Sequence, residues 1–319
     1  MSSILKRVLG LVVVLLGISL ITFTVSHFAP GDKAMAIAHA RYPGEQGFAP
    51  EILQSIRDEL HLEASFWEQY LRWLGAVLQG DFGVSYNTQS SVWSTFVGSI
   101  GETVTLSLTA LVFGLAGAFA LAALAVRRPG SLVDRLAIIV ASIGSAMPIY
   151  WLSLLLILVF AVHLDWVPAY GTGTLAHLVL PTLALAFWLM ASQTRLLRSF
   201  ILDAYDQPFI ETLRLRGISE AEIFFRHVLR HAMLPALTMI GLDFALLLEG
   251  AVIVEILFAR SGLGALLATS VLSRDLPMVM LLVMFFATTY VVINTLIDIV
   301  QMASDPRQRQ GGQPTEKSI

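Results

Sequence analysis

Six stretches of the chain are each apolar for about twenty residues or more, near Val8–Phe28, Thr103–Val126, Leu136–Val162, Leu175–Thr194, Leu234–Phe258 and Pro277–Val300. A bilayer's hydrocarbon core is about 30 Å thick, so about 20 mostly apolar residues in a helix suffice to cross it. This feature overrides the one or two soluble domains that length alone would allow. Composition agrees: 56% of the 319 residues are hydrophobic and 13% are charged, with a mean hydropathy of +0.75, outside the soluble globular range. The chain is expected to be all-α and polytopic, with six transmembrane helices.

The first apolar run follows Lys6 and Arg7, as the core of a signal peptide would. It is longer than the roughly 7–15 residues of such a core, and Ala29-Pro30-Gly31 lacks a small-x-small cleavage pattern, so it reads as a retained helix. Lys and Arg set the orientation. With the N-terminus inside, fourteen basic residues (Lys6, Arg7, Arg127, Arg128, Arg135, Arg195, Arg198, Arg214, Arg216, Arg226, Arg230, Arg307, Arg309 and Lys317) lie in cytoplasmic segments, against six outside. The positive-inside rule then places both ends in the cytoplasm. A net charge of −3 supplies no basic field for nucleic acid. The absence of cysteine excludes a disulfide framework, a thiolate metal site and a Cys nucleophile.

Four regions follow: residues 1–28, the N-terminal end and first helix; 29–101, an external segment; 102–303, a five-helix core; and 304–319, a polar tail expected to be disordered. The external segment is mildly acidic, with eight acidic and four basic side chains, and Ser55–Tyr70 has helical character. Pro43-Gly44 and Gly47 mark loops there.

Within the core, residues 211–235 (ETLRLRGISEAEIFFRHVLRHAMLP) form a dense charged island. Asp206-Gln207-Pro208 signals a helix start, with a capping side chain before a first-turn proline. Gly217 signals a stop. Ser219-Glu220-Ala221-Glu222 fits a capping box, and Ala221, Phe224, Phe225, Val228, Leu229 and Ala232 then share one helical face. Glu222, Arg226 and Arg230 make an i, i+4, i+8 row on another. The island is therefore a short helix, a glycine turn and an amphipathic helix on the cytoplasmic side. Two roles fit it: an interfacial helix whose arginines attract anionic headgroups, or a docking surface for a soluble partner. His227 and His231 are spaced as two ligands on one face would be, but the sequence favours a structural or docking role for them.

The stretch resembles the cytoplasmic "EAA" loop of ABC importer permeases, in the branch covering dipeptide, oligopeptide and nickel systems. Glu211-Thr212-Leu213 falls on the EAA triplet and Gly217 on its glycine. That branch usually reads T-A-R-A-K-G; this chain has Thr212-Leu213-Arg214-Leu215-Arg216-Gly217, with leucine at both alanine positions. Arg226-His227 and Leu234-Pro235 also match. So do Pro30-Gly31-Asp32, Gln69-Tyr70, Trp73-Leu74, Gly80-Asp81-Phe82-Gly83-Val84-Ser85, the spaced Glu255, Phe258, Gly262 and Gly264, and Asp305-Pro306-Arg307. Lys33 replaces a usual proline, and His61 and Ser65 stand where the branch usually has Gly and Pro.

The resemblance implies an ABC type I importer permease fold in the bacterial cytoplasmic (inner) membrane. It also implies a non-catalytic translocation subunit, with cytoplasmic coupling through about 203–235. The residues it points to for ATPase coupling are Glu211, Thr212, Leu213, Arg214, Arg216, Gly217, Ser219, Glu222 and Arg226. Implied partners are a second permease subunit of related sequence, two cytoplasmic ABC ATPases, an external substrate-binding protein and membrane lipids. No cofactor is expected on this chain, and ATP would be used by the ATPases: the sequence has no G-x-x-x-x-G-K-[ST] phosphate loop, nor H-E-x-x-H, nor G-x-S-x-G. Peptides are the leading cargo, with nickel, metal-chelate or opine import as the alternative. A membrane scaffold or lipid-binding protein is the alternative of a different class. Asp243, Glu249 and Glu255, all in the fifth apolar run, are candidates for the translocation path, since a carboxylate in a bilayer usually faces a cavity or a partner. Six residues turn a helix by about 240°, so the three are expected to point in different directions, Glu255 towards a structural hydrogen bond.

Overall fold

A computed structural model describes residues 3–42, 44–45 and 47–304. Pro43, the Asp305-Pro306-Arg307 motif with the rest of the tail, and the side chains of Lys6, Arg7 and Leu234 lie outside the described residues. Among the described residues there is no strand beyond one bridge, Val84 to Ser91.

Among the described residues, five helices are long and apolar enough to cross a membrane: α1 (Ser3–His27), α5 (Val92–Val126), α8 (Ala176–Tyr205), α11 (Leu229–Leu257) and α13 (Leu276–Ser304). Between α1 and α5 lie α2 (Lys33–Arg41), α3 (Pro50–Glu59) and α4 (Phe66–Leu78). The third expected span, Leu136–Val162, is not one helix. It is α6 (Leu132–Ala146) and α7 (Ile149–Leu156), the latter continued by a π-helical segment to His163, with a bend of 103° between them. The cause is Pro148. A residue before proline is driven out of the α region, and Met147 is extended at ψ 122. The remaining helices are α9 (Pro208–Leu215), α10 (Glu220–Glu222) and α12 (Leu263–Leu272).

The external segment also differs from its expectation. The helical stretch expected over Ser55–Tyr70 breaks at His61, which takes a left-handed φ of 50°. Ser65 then caps α4, its Oγ accepting the Glu68 N–H at 3.3 Å. These are the two positions where the related branch carries Gly and Pro: one needs a positive φ, the other begins a helix. The last ten residues of the segment belong to α5, which starts at Val92 rather than near Thr103.

The chain divides into two compact units, each assembled from separate stretches. The first holds Met1–Leu106, Val159–Pro181 and Ala251–Val291. Its external helices pack through Ala34, Ile37, Ala38, Leu53 and Ile56. Arg41 clasps Glu59 there with two bonds of 2.8 and 3.0 Å. A second cluster joins Phe23 of α1 to Tyr70 of α4 and Met280 of α13, and Ser19 and Tyr70 share a hydroxyl hydrogen bond of 2.9 Å.

The second unit holds Ser107–Leu158, Thr182–Gly250 and Val292–Ile319. Small residues set its helix packing, as dispersion requires where lipid removes the hydrophobic drive. A Cβ on Gly144 of α6 would meet Ala191 and Phe187 of α8 at 2.6 and 2.9 Å, and one on Gly114 of α5 would meet Leu189 at 2.9 Å. Asp134 of α6 accepts Arg198 Nε at 2.6 Å and Nη2 at 2.8 Å. That bidentate pair ties the start of α6 to the end of α8.

Candidate functional site

The charged loop lies wholly in the second unit, between α8 and α11. α8 ends at Tyr205, and Pro208 opens α9 at its first turn. Asp206 is not the cap: Gln207 occupies that position and its side chain makes no capping bond. α9 closes on Gly217 at φ +78. The Gly217 N–H donates to the Arg214 carbonyl at 2.9 Å and the Ile218 N–H to the Leu213 carbonyl at 3.2 Å. These two bonds make a Schellman stop, which needs a left-handed residue at its centre and brings an apolar pair together across it. Leu213 and Ile218, that pair, both pack against the unit's core.

Ser219 opens the next helix, its Oγ accepting the Glu222 N–H at 3.3 Å. The Glu222 carboxylate accepts from Arg226 at 3.2 Å. A π-helical segment, Ile223–Val228, joins α10 to α11, so helix is unbroken from Glu220 to Leu257. This wider turn shifts the apolar face from its expected register. Ile223, Val228 and Ala232 are buried, whereas Phe225, expected inside, is 65% exposed. An ion pair absent from the sequence reading closes the turn: Arg214 Nε meets Glu220 Oε1 at 2.6 Å, across Gly217. The Arg214 guanidinium holds the Glu220 carboxyl below its usual range.

The loop is anchored from within. Ile210, Ile223, Val228 and Ala232 join Ala118, Ala122 and Val126 of α5 and Leu197, Ile201 and Ala204 of α8 in one buried cluster. Full burial of a side chain such as Ile210 or Ile223 contributes about 1.5–3 kcal/mol. The opposite side is open. Glu211, Thr212, Arg214, Arg216, Gly217, Ser219, Glu222 and Arg226 are exposed, and Leu213 is half-buried. Leu215 adds an apolar side chain that is 83% exposed. A cleft of about 970 Å³ runs beneath the loop, lined by Phe119 of α5, by Arg127 just after it, by Tyr205 of α8, and by Phe224. His231 meets Phe209 edge-on at 6.0 Å. Among the described residues no group of three His, Asp or Glu side chains could hold a metal ion.

The three carboxylates of α11 have separate surroundings. Asp243, in the second unit, is buried and accepts Gln193 Nε2 at 2.7 Å and Ser192 Oγ at 3.1 Å. Glu249, in the same unit, is exposed. Glu255, in the first unit, is fully buried. It accepts from the Thr103 hydroxyl at 2.6 Å and from the N–H groups of Gly264 and Ala265 at 2.8 and 3.1 Å. Thr103 in turn accepts the Leu263 N–H at 2.7 Å. Glu255 thus satisfies two N–H groups in the first turn of α12, whose cap position is Gly262, and any Cβ at Gly262 would collide with it.

Residues 114–310 match the family described as "Binding-protein-dependent transport system inner membrane component", and residues 1–109 match its N-terminal companion. The chain belongs to this family. It is an inner-membrane permease component. It is 33% identical to the dipeptide transport system permease protein DppB of Escherichia coli (strain K12), over 97% of this chain and 99% of that one. It is equally 33% identical to the glutathione transport system permease protein GsiC of the same strain, with the same coverage. A chain from the crystal structure of an amino acid ABC transporter with histidines superposes with a TM-score of 0.54 at 16% identity. That match covers 66% of this permease and 94% of the other chain. The permease therefore has the ABC type I importer fold.

Proposed function

We propose that this permease carries peptides across the cytoplasmic membrane as a non-catalytic subunit, driven by ATPases that grip the loop from Pro208 to Pro235. The observation that carries the reading is mechanical. An exposed, charged cap is locked at Gly217 by its Schellman bonds and by the Arg214–Glu220 pair, and its second arm, from Glu220, runs without a break into the membrane-spanning α11. A partner that displaces Glu211, Arg216 or Arg226 therefore displaces α11 as well. ATP closure of the partner needs only to favour one helix arrangement over another to shift the population.

Peptide cargo is supported by the two full-length relatives, one a dipeptide and one a glutathione permease. The complete system in this reading has a second permease, two ATPases and an external binding protein. Gly217 supplies the test. Proline cannot adopt a positive φ and has no N–H for the Arg214 carbonyl, so Gly217→Pro breaks the turn while leaving the apolar spans unchanged. Gly217→Pro and Glu211→Arg are each expected to abolish peptide uptake and co-purification of the ATPase, with the chain still inserted at normal levels. Uptake equal to the parent in either variant rejects the docking assignment.

A further inference from the structure

Outside the loop, the first unit has a cavity of about 290 Å³ where α1 ends and α13 begins. Val25 and Ser26 of α1 line it, with Val271 and Leu272 of α12 and Leu276 and Val279 of α13. Two cations, Lys33 and Arg274, also line it, and no carboxylate does. Each cation has an acidic neighbour in sequence that turns away. Asp32 bonds Arg57 at 2.6 Å and caps α2. Asp275 accepts the Ser85 hydroxyl and the Tyr86 N–H.

The cations themselves are held by neutral groups. Arg274, left-handed at φ 57, donates to the carbonyls of Ala29, Pro30 and Gly31. Its guanidinium lies where a Cβ on Gly31 would meet it at 3.1 Å. Lys33 Nζ donates to His27 Nδ1 at 3.3 Å. Burial, and then the charge of Arg274, hold the Lys33 ammonium below its usual range. The rim is oily: Val25 is 67% exposed and Leu272 84%. Cations at the end of two spanning helices, above apolar side chains open on one side, match a phosphate with hydrocarbon below it.

We propose that this cavity binds the phosphate of an anionic phospholipid, with Lys33 and Arg274 as its ligands and the acyl chains along Val25 and Leu272.

The test is thermal unfolding of the complete detergent-purified transporter, titrated with phosphatidylglycerol or with phosphatidylcholine. Phosphatidylglycerol is expected to raise the melting temperature and phosphatidylcholine not to. Lys33→Gln and Lys33→Met are each expected to weaken the apparent phosphatidylglycerol affinity about fivefold or more, and Lys33→Arg to keep it. Both neutral variants remove the repulsion from Arg274, so neither is expected to melt below the parent in lipid-free detergent. Unchanged phosphatidylglycerol affinity in both neutral variants overturns the proposal. So does an equal shift from phosphatidylcholine, or from inorganic phosphate at the same concentration, which would assign the cavity to a free anion.

Discussion

The loop Pro208–Pro235 and the polar closure of the first unit use the same residue types in opposite ways. In the first unit charges turn inward. The Arg41 side chain is 8% exposed against Glu59, Arg260 is buried against Glu102 and the His177 carbonyl, and Asp275 is buried against Ser85 and Tyr86. Burial pushes the Asp275 carboxyl up, and burial with the nearby Asp275 charge pushes the Tyr86 phenol up to about 12. In the loop the charges turn outward, and apolar side chains such as Ile210 and Ile223 anchor it. A buried charge must be partnered within the fold, because breaking the pair leaves an uncompensated ion. An exposed charge leaves stability nearly untouched and remains available to another chain. The two regions should therefore separate by mutation: one loses stability, the other loses transport.

The largest effect is expected at Glu255. Glu255→Leu strands the Thr103 hydroxyl and the N–H groups of Gly264 and Ala265 in a buried site. Each stranded donor costs about 1–3 kcal/mol, so the variant should lose about 3 kcal/mol or more. The measurement is the melting temperature of the purified transporter, with transport falling in step with folded protein. Glu255→Gln keeps one acceptor oxygen and should lose less. A Glu255→Leu protein as stable as the parent would break the contrast at its inward side.

Much of this contrast was legible in the residues. The length of the apolar runs located the spans because a bilayer admits few alternatives. Gly217 and Ser219 located the turn and the cap because each answers a local backbone need. The break at Met147-Pro148 is announced by proline but masked by the apolar run, which passes through it without a charged residue. The π-helical segment at Ile223–Val228 has no signal in apolar periodicity, which places Phe225 on the buried face rather than the exposed one. Arg214 and Glu220 lie six apart across a glycine, a spacing that no helical rule pairs. Asp134 and Arg198 are 64 residues apart, and Lys33 and Arg274 much farther. Such pairs are made by packing, and a single sequence does not display them.

On the outward side, Arg226→Ala removes an i, i+4 partner of Glu222 whose side chains are 75% and 47% exposed. Stability should change by about 0.5 kcal/mol or less, too little to move the melting temperature far. ATP-driven uptake should nevertheless fall several-fold if the arginine meets the ATPase. A variant that melts lower but transports normally would reverse the assignment.

The smallest effect is the clasp across Gly217. Glu220 has its folded pKa lowered from an ordinary value near 4.5, chiefly by the hydrogen bond from Arg214. For a depressed carboxylate the stabilisation is fully present above the unfolded value and is lost as pH falls through the folded one. The clasp is therefore intact near neutrality and opens on acidification below about 4.5. Both side chains are at least half exposed, so solvent screens most of the gain and the opening stays local. Amide exchange at Ile218, whose N–H closes the turn on Leu213, reports it. Relative to an Arg214→Gln protein at each pH, the parent should be the more protected at pH 6, and that difference should vanish as pH falls below the folded value. Equal protection of the two proteins at pH 6 would mean that the Schellman bonds hold the turn unaided, and that Arg214, like Arg216, is free to meet a partner.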